Sequence, residues 1–156
     1  MRQILTTLLA ALAALTAVAQ SNGRIYIDDF DIAADSTAIV QVMLANPDPT
    51  LGLQFKMTVP DGLRVDEMEL TKYSDRLKMN LANKLKGSTW SVAVYSMSLM
   101  PYPSDTAAVM TLKLTALPGF AGGDISIYRS QGSTEDFTTI HYDDSRAAVT
   151  LRPGTH

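Results

Sequence analysis

From residue 51 to residue 59 every second side chain is apolar: Leu51, Leu53, Phe55, Met57 and Val59 alternate with Gly52, Gln54, Lys56 and Thr58. A helix returns its apolar side chains every third or fourth residue. Strict period two instead builds a strand with one dry and one wet face. The same alternation sets Ala108, Met110, Leu112 and Leu114 against Val109, Thr111 and Lys113, and Trp90, Val92 and Val94 against Ser91, Ala93 and Tyr95. Shorter strands are predicted at 25–32, 37–45, 62–65, 124–128 and 147–151. In the first of these, Ile25 and Ile27 lie on one parity and Phe30 and Ile32 on the other. An extra residue at Asp28-Asp29 would return both pairs to one face, so a bulge is predicted there.

Turn residues punctuate these runs: Asn46-Pro47-Asp48-Pro49, Pro60-Asp61-Gly62, Pro101-Tyr102-Pro103, Pro118-Gly119 and Gly122-Gly123. Many short strands at such spacing predict an all-β sandwich. One stretch fits two periods. In 74–86, Leu77, Leu81 and Leu85 recur at helical spacing while Leu77, Met79 and Leu81 alternate. It is read as a strand with an irregular lead-in.

The first nineteen residues have a different character. Met1 and Arg2 carry positive charge, an uncharged apolar run spans 4–18, and Ala17-Val18-Ala19 ends it with small residues. That order is a secretory signal peptide over 1–19, which leaves a single domain over 20–156. The apolar run is short for a stable span, and no second one approaches membrane-spanning length. The mature chain is therefore expected to be exported, periplasmic or extracellular, with no membrane span.

Sixteen acidic and thirteen basic residues give a net charge of −3, spread without blocks. Nucleic acid is thereby excluded as an expected partner, because its binding needs a clustered basic face. The absence of cysteine removes disulfides, thiolate metal sites, a cysteine nucleophile and a lipidated cysteine at the cut end.

Candidate chemistry is sparse. Asp28, Asp29, Asp31 and Asp35 crowd the first strand and its loop, but the EF-hand order with its Gly and closing Glu is missing, so they read as a solvated edge and turn. His141 and Asp143 would share a strand face beside Asp144, without a third ligand; they read as a surface strand end. His156 is terminal, no Gly-x-Ser-x-Gly elbow occurs, and nothing singles out a carboxylate pair. No catalytic residue, metal or cofactor is assigned. Trp90 shares parity with Val92 and Val94 and is placed in the core, as are Met57 and Met110. Tyr95 has the opposite parity and is expected to be exposed. Tyr102, between two prolines, is expected in an exposed loop.

Two segments carry a family resemblance. Leu53-Gln54-Phe55-Lys56-Met57-Thr58-Val59-Pro60-Asp61-Gly62-Leu63-Arg64-Val65 resembles the early part of cohesin domains. Residues 108–116 followed by Gly122-Gly123-Asp124-Ile125-Ser126-Ile127 are similar to the cohesin strand, glycine turn and next strand, and 90–98 falls where that family has a central strand. The resemblance implies a jelly-roll β-sandwich of about nine strands, related to carbohydrate-binding modules, that docks a partner on a sheet face rather than on loop tips. It implies a secreted, non-catalytic module mediating protein–protein interaction at or outside the cell surface, with another exported protein as partner. The alternative is a carbohydrate-binding module recognising a polysaccharide through a sheet face. Outward positions on the two relevant strands are Gln54, Lys56, Thr58, Ser91, Ala93 and Tyr95. Of these, Gln54, Lys56 and Tyr95 are the expected partner-binding residues, with Tyr95 as anchor. Tyr95 and Tyr102 exposed on one flat surface would favour sugar; Tyr95 and Tyr102 set apart would favour protein.

Overall fold

The structure is a computed structural model that describes residues 23–46, 48–103 and 105–153. The predicted signal peptide and His156 lie outside the described residues. Among the described residues, eleven strands and one short helix follow in order: β1 (Arg24–Tyr26), β2 (Phe30–Ala33), β3 (Thr37–Asn46), β4 (Thr50–Thr58), β5 (Leu63–Leu70), α1 (Lys72–Arg76), β6 (Met79–Lys86), β7 (Thr89–Ser96), β8 (Asp105–Ala116), β9 (Gly123–Thr134), β10 (Thr139–His141) and β11 (Ser145–Arg152). They form a jelly-roll β-sandwich. One sheet has the order β1-β3-β8-β5; the other runs β2-β11-β9-β4-β7-β6, with β10 paired to β9.

The core lies between the sheets, where the dry faces of both meet. Leu53, Phe55 and Met57 of β4, Val92 and Val94 of β7, and Ile125 and Ile127 of β9 oppose Val42 and Leu44 of β3 and Met110, Leu112 and Leu114 of β8. Burying each such side chain contributes about 1.5–3 kcal/mol, which a chain without disulfides depends on. Met57 and Met110 are fully buried, as their parity requires. Trp90 is only half-buried and packs at the margin of the core.

The segment 25–32 departs from the single bulged strand expected of it. β1 pairs with β3 in one sheet, whereas β2 runs parallel to β11 in the other. The chain changes sheets through Ile27, Asp28 and Asp29, so both apolar pairs reach the core from opposite sides. Asp29 anchors the crossing: its Oδ1 accepts the Ala148 backbone N–H at 2.8 Å.

Irregular register reshapes three further strands. In β8 the buried set is Ala107 and Val109, then Met110, Leu112, Leu114 and Ala116, while Ala108 is half-exposed. The register slips opposite Val42 and Met43, and Val109 is the additional residue that reverses parity. A slip between Val65 and Glu67 lets β5 continue to Leu70, well past the predicted end. β9 runs to Thr134 rather than ending near Tyr128, for the same kind of reason.

The ambiguous 74–86 stretch is strand β6 from Met79 onward, as expected, and its irregular lead-in includes the last three residues of the five-residue helix α1. Thr71 caps α1, its Oγ1 accepting from the Ser74 N–H at 3.2 Å and donating to the Ala108 carbonyl at 2.8 Å. The turn between β4 and β5 needs a glycine: Gly62 has φ +84°, and a Cβ there would come within 2.8 Å of the Phe120 Cα.

Tyr102 overturns an expectation. It is 0 % exposed, its backbone N–H and C=O bond to Thr50 at 2.8 and 2.9 Å, and its ring packs against Tyr73 with centroids 6.0 Å apart. Its hydroxyl bonds to Ser74 Oγ, which in turn donates to the Val109 carbonyl. The flanking prolines turn the chain, but the phenol fills the end of the core instead of facing water.

A candidate docking face on the seven-stranded sheet

The wet face of β6, β7, β4 and β9 can be assembled row by row from the pairing register. Asn80, Tyr95, Gly52 and Ser133 lie across the strands in one row; Ala82, Ala93, Gln54 and Gln131 form the next; Lys84, Ser91, Lys56 and Tyr128 form the third. Side chains alternate across a strand, so a residue opposite Gln54 or Lys56 shares its face. The three expected partner-binding residues, Gln54, Lys56 and Tyr95, therefore lie on one surface. Tyr95 is 42 % exposed. Thr58, Ser91 and Ala93 are half-buried on that same surface.

Small residues hollow the middle of the face. Ala82 and Ala93 form the floor of a groove of about 310 Å³, walled by Gln54, Lys56, Lys84 and Arg129. A second depression of about 270 Å³ begins at Gln54 and Ala93 and runs beside Tyr95 and Gly52. A Cβ on Gly52 would sit 3.3 Å from the Val94 carbonyl oxygen and 3.4 Å from the Tyr95 Cβ, so this glycine leaves room for the tyrosine.

The charges on the face have identifiable positions. Lys56 Nζ donates to Ser91 Oγ at 2.7 Å, which draws the ammonium across β4 towards β7. Lys84 projects from the edge strand β6. Arg129 arrives by a bulge: Lys56 pairs with Tyr128 and Gln54 with Gln131, so Arg129 and Ser130 together oppose Phe55. Arg129 takes φ +50°, which turns its exposed side chain outward, while Ser130 turns in. The buried Ser130 Oγ has no hydrogen-bond partner.

Among the described residues, no group of three or more His, Asp or Glu side chains gathers to hold a metal ion. Asp28 and Asp29 lie at the sheet crossing, Asp31 is on β2, and Asp35 occupies a turn at φ +57°. His141 ends β10, and Asp143 donates its N–H to the Gly23 carbonyl at 3.1 Å. Burial pushes the Tyr102 phenol up to about 12, the Ser74 hydrogen bond only partly opposing it, and burial likewise raises Tyr142. Both are interior groups, remote in role from the open face. Hydrogen bonds from Thr115 and Arg64 hold the Asp66 carboxyl below the usual range on the opposite sheet.

Parity puts Gln54, Lys56 and Tyr95 on the wet side of their own strands, and the family resemblance sets those two strands in one sheet. That reading missed Ala82 and Lys84, although the strand reading of 79–86 would have put both on the wet side. Arg129 had no sequence signal, because its exposure depends on a bulge.

No protein-family model matches this sequence, and no curated protein matches it. Solved structures do match. A type I cohesin–dockerin complex from Clostridium thermocellum aligns at 12 % identity over 83 % of this chain and 99 % of that one, with TM-score 0.70. The sixth cohesin of scaffoldin B from Acetivibrio cellulolyticus, in complex with a Cel5 dockerin mutant, aligns at 15 % identity, 83 % and 99 % coverage and TM-score 0.68. A non-cellulosomal cohesin from the archaeon Archaeoglobus fulgidus aligns at 11 % identity, 82 % and 91 % coverage and TM-score 0.65. The fold of this chain is cohesin-like. Among the described residues, no helix is long and apolar enough to cross a membrane.

Proposed function

We propose that this chain is an exported, non-catalytic interaction module that holds a protein partner on the outer face of β6, β7, β4 and β9. The observation that carries the reading is that face itself: Tyr95 stands beside a shallow groove floored by Ala82 and Ala93 and rimmed by polar side chains. An aromatic anchor amid small, low-energy neighbours is the usual make-up of a specific protein interface. The cohesin neighbours support it, since two of those described were solved with a dockerin. Export rests on the residue pattern of 1–19. The polysaccharide alternative wanted Tyr95 and Tyr102 on one flat surface, and Tyr102 is buried. Tyr128 does share the outer face, but it is half-buried and lies beyond β4, two rows from Tyr95.

The test is affinity capture from the envelope and medium of the source cells. The wild type is expected to enrich a discrete protein, and Tyr95→Ala to weaken that capture by about 1–3 kcal/mol with thermal stability nearly unchanged. Undiminished capture by the folded variant would reject this face.

A further inference from the structure

The chain carries a net negative charge, yet its proposed docking face is basic. Strands β4, β6 and β7 hold Lys56, Lys84 and Lys86 and no carboxylate; β9 adds Arg129, and its one acidic residue, Asp124, sits near the strand's start. Acidic residues concentrate elsewhere, for example Asp66, Glu67 and Glu69 on β5 of the other sheet. Three of the cations, Lys56, Lys84 and Arg129, come from three different strands and wall one groove. None of them is in an ion pair: among the described residues the one such pair is Arg64 with Asp66. Arg129 reaches the groove only by adopting a left-handed backbone, which is sterically unfavourable for any residue with a Cβ. Gathered cations repel one another, and an opposite charge relieves that repulsion.

Resting on the interaction reading above, we infer that the partner is an acidic protein segment, with Asp or Glu side chains on either side of a small apolar one. The guanidinium of Arg129 matches a carboxylate in planar, two-pronged geometry, and Lys56 and Lys84 supply point charges beside it. The methyl floor of Ala82 and Ala93 accommodates the apolar side chain between the carboxylates. A lone inorganic anion would leave most of the groove's volume empty. An acidic polysaccharide would want an exposed aromatic platform within the groove; the aromatic residue lining it, Phe55, is buried in the core, and Tyr95 stands outside it.

The test is an amide-shift titration of the isotope-labelled protein with three synthetic peptides at up to millimolar concentration. One alternates Asp and Glu with leucine, one replaces the acids by lysine, and one replaces them by glutamine. Only the acidic peptide is expected to shift the amides of Gln54, Lys56, Ala82, Lys84, Ala93 and Arg129. Its affinity should fall roughly tenfold as salt rises from about 20 to about 300 mM, which shortens the screening length from about 20 to about 6 Å. Lys84→Glu and Arg129→Gln should each weaken it roughly three- to tenfold; Lys84→Glu lies on an exposed edge strand and does not depend on the bulge. Equal shifts with the lysine or glutamine peptide, shifts confined to other surfaces, or no shift would overturn the inference. Tighter binding of polygalacturonate at the same amides would transfer the groove to an acidic polysaccharide and overturn it too. If Tyr95-dependent capture holds while Lys84→Glu leaves it unchanged, the acidic partner fails and the interaction reading survives. If the acidic peptide occupies the groove while Tyr95→Ala captures normally, the captured partner sits on another surface, and the inference that this partner is the acidic segment is overturned.

Discussion

Removing the Tyr102 hydroxyl should lower stability at neutral pH and raise it, relative to wild type, in strong alkali. In Tyr102→Phe the ring still fills its fully buried site, so no cavity is created. What is lost is the hydrogen bond to Ser74, whose own bond to the Val109 carbonyl persists. One such bond is worth about 0.5–1.5 kcal/mol. The alkaline effect has the opposite sign. The folded phenol is pushed up to about 12 from the usual 10.0, so below about pH 10 it is neutral in both states and contributes fully. As pH climbs from about 10 towards about 12 the unfolded phenol ionises first, the unfolded state binds fewer protons, and wild-type stability falls. By about pH 11.5 the accumulated loss is about 2 kcal/mol, which Tyr102→Phe does not suffer. Tyr142 is raised in both proteins and cancels in the comparison. The two stability curves should therefore cross between about pH 10.2 and about pH 11.1. Urea unfolding followed by the fluorescence of Trp90 measures both. Parallel curves over the whole range would refute the reasoning, because they would mean the Tyr102 hydroxyl titrates as if it faced solvent.

Other consequences are checked in the same way. Val109→Ala should cost about 2 kcal/mol in urea unfolding while Ala108→Ser stays within about 0.5 kcal/mol, because the bulge puts Val109 in the core and Ala108 at the surface. A side chain at position 132 would meet the Tyr142 ring, with its Cζ at 2.8 Å from an added Cβ, so Gly132→Ala should destabilise by about 1–3 kcal/mol. The Asp66 carboxyl, followed by NMR titration, should have its midpoint below 3.8. Its folded value is depressed, so any stability it lends is present above the unfolded pKa and lost as pH falls through the folded one. Thr115→Val removes the largest cause and should move that midpoint up.

The sandwich was legible because burial on one face imposes period two, and β4, with its unbroken dry face, reads from the residues alone. Irregularities defeat that logic. An additional residue at Val109 or Arg129 reverses parity without changing composition, so alternation places Met110, Leu112 and Leu114 correctly but exchanges Ala108 with Val109, and it ends β9 too early. The crossing at Asp28 and Asp29 looks identical to a bulge from sequence, since both reset parity; only long-range pairing with β3 or β11 separates them. Tyr102 was misplaced because flanking prolines announce a turn and say nothing of whether its side chain fills a core. At the docking face, the outward positions of Gln54, Lys56 and Tyr95 follow from alternation and their shared sheet from the family resemblance, whereas the groove requires that β6 lie beside β7 and that β9 bulge beside β4.

The central claim, a protein partner held on the β6-β7-β4-β9 face, is tested most directly by a photo-crosslinking amino acid placed at Tyr95 in the source cells. Ile39, 70 % exposed on β3 of the opposite sheet, is the control position. A discrete protein adduct is expected from position 95 and none from position 39. No adduct at 95, or the same adduct from both positions, would contradict it.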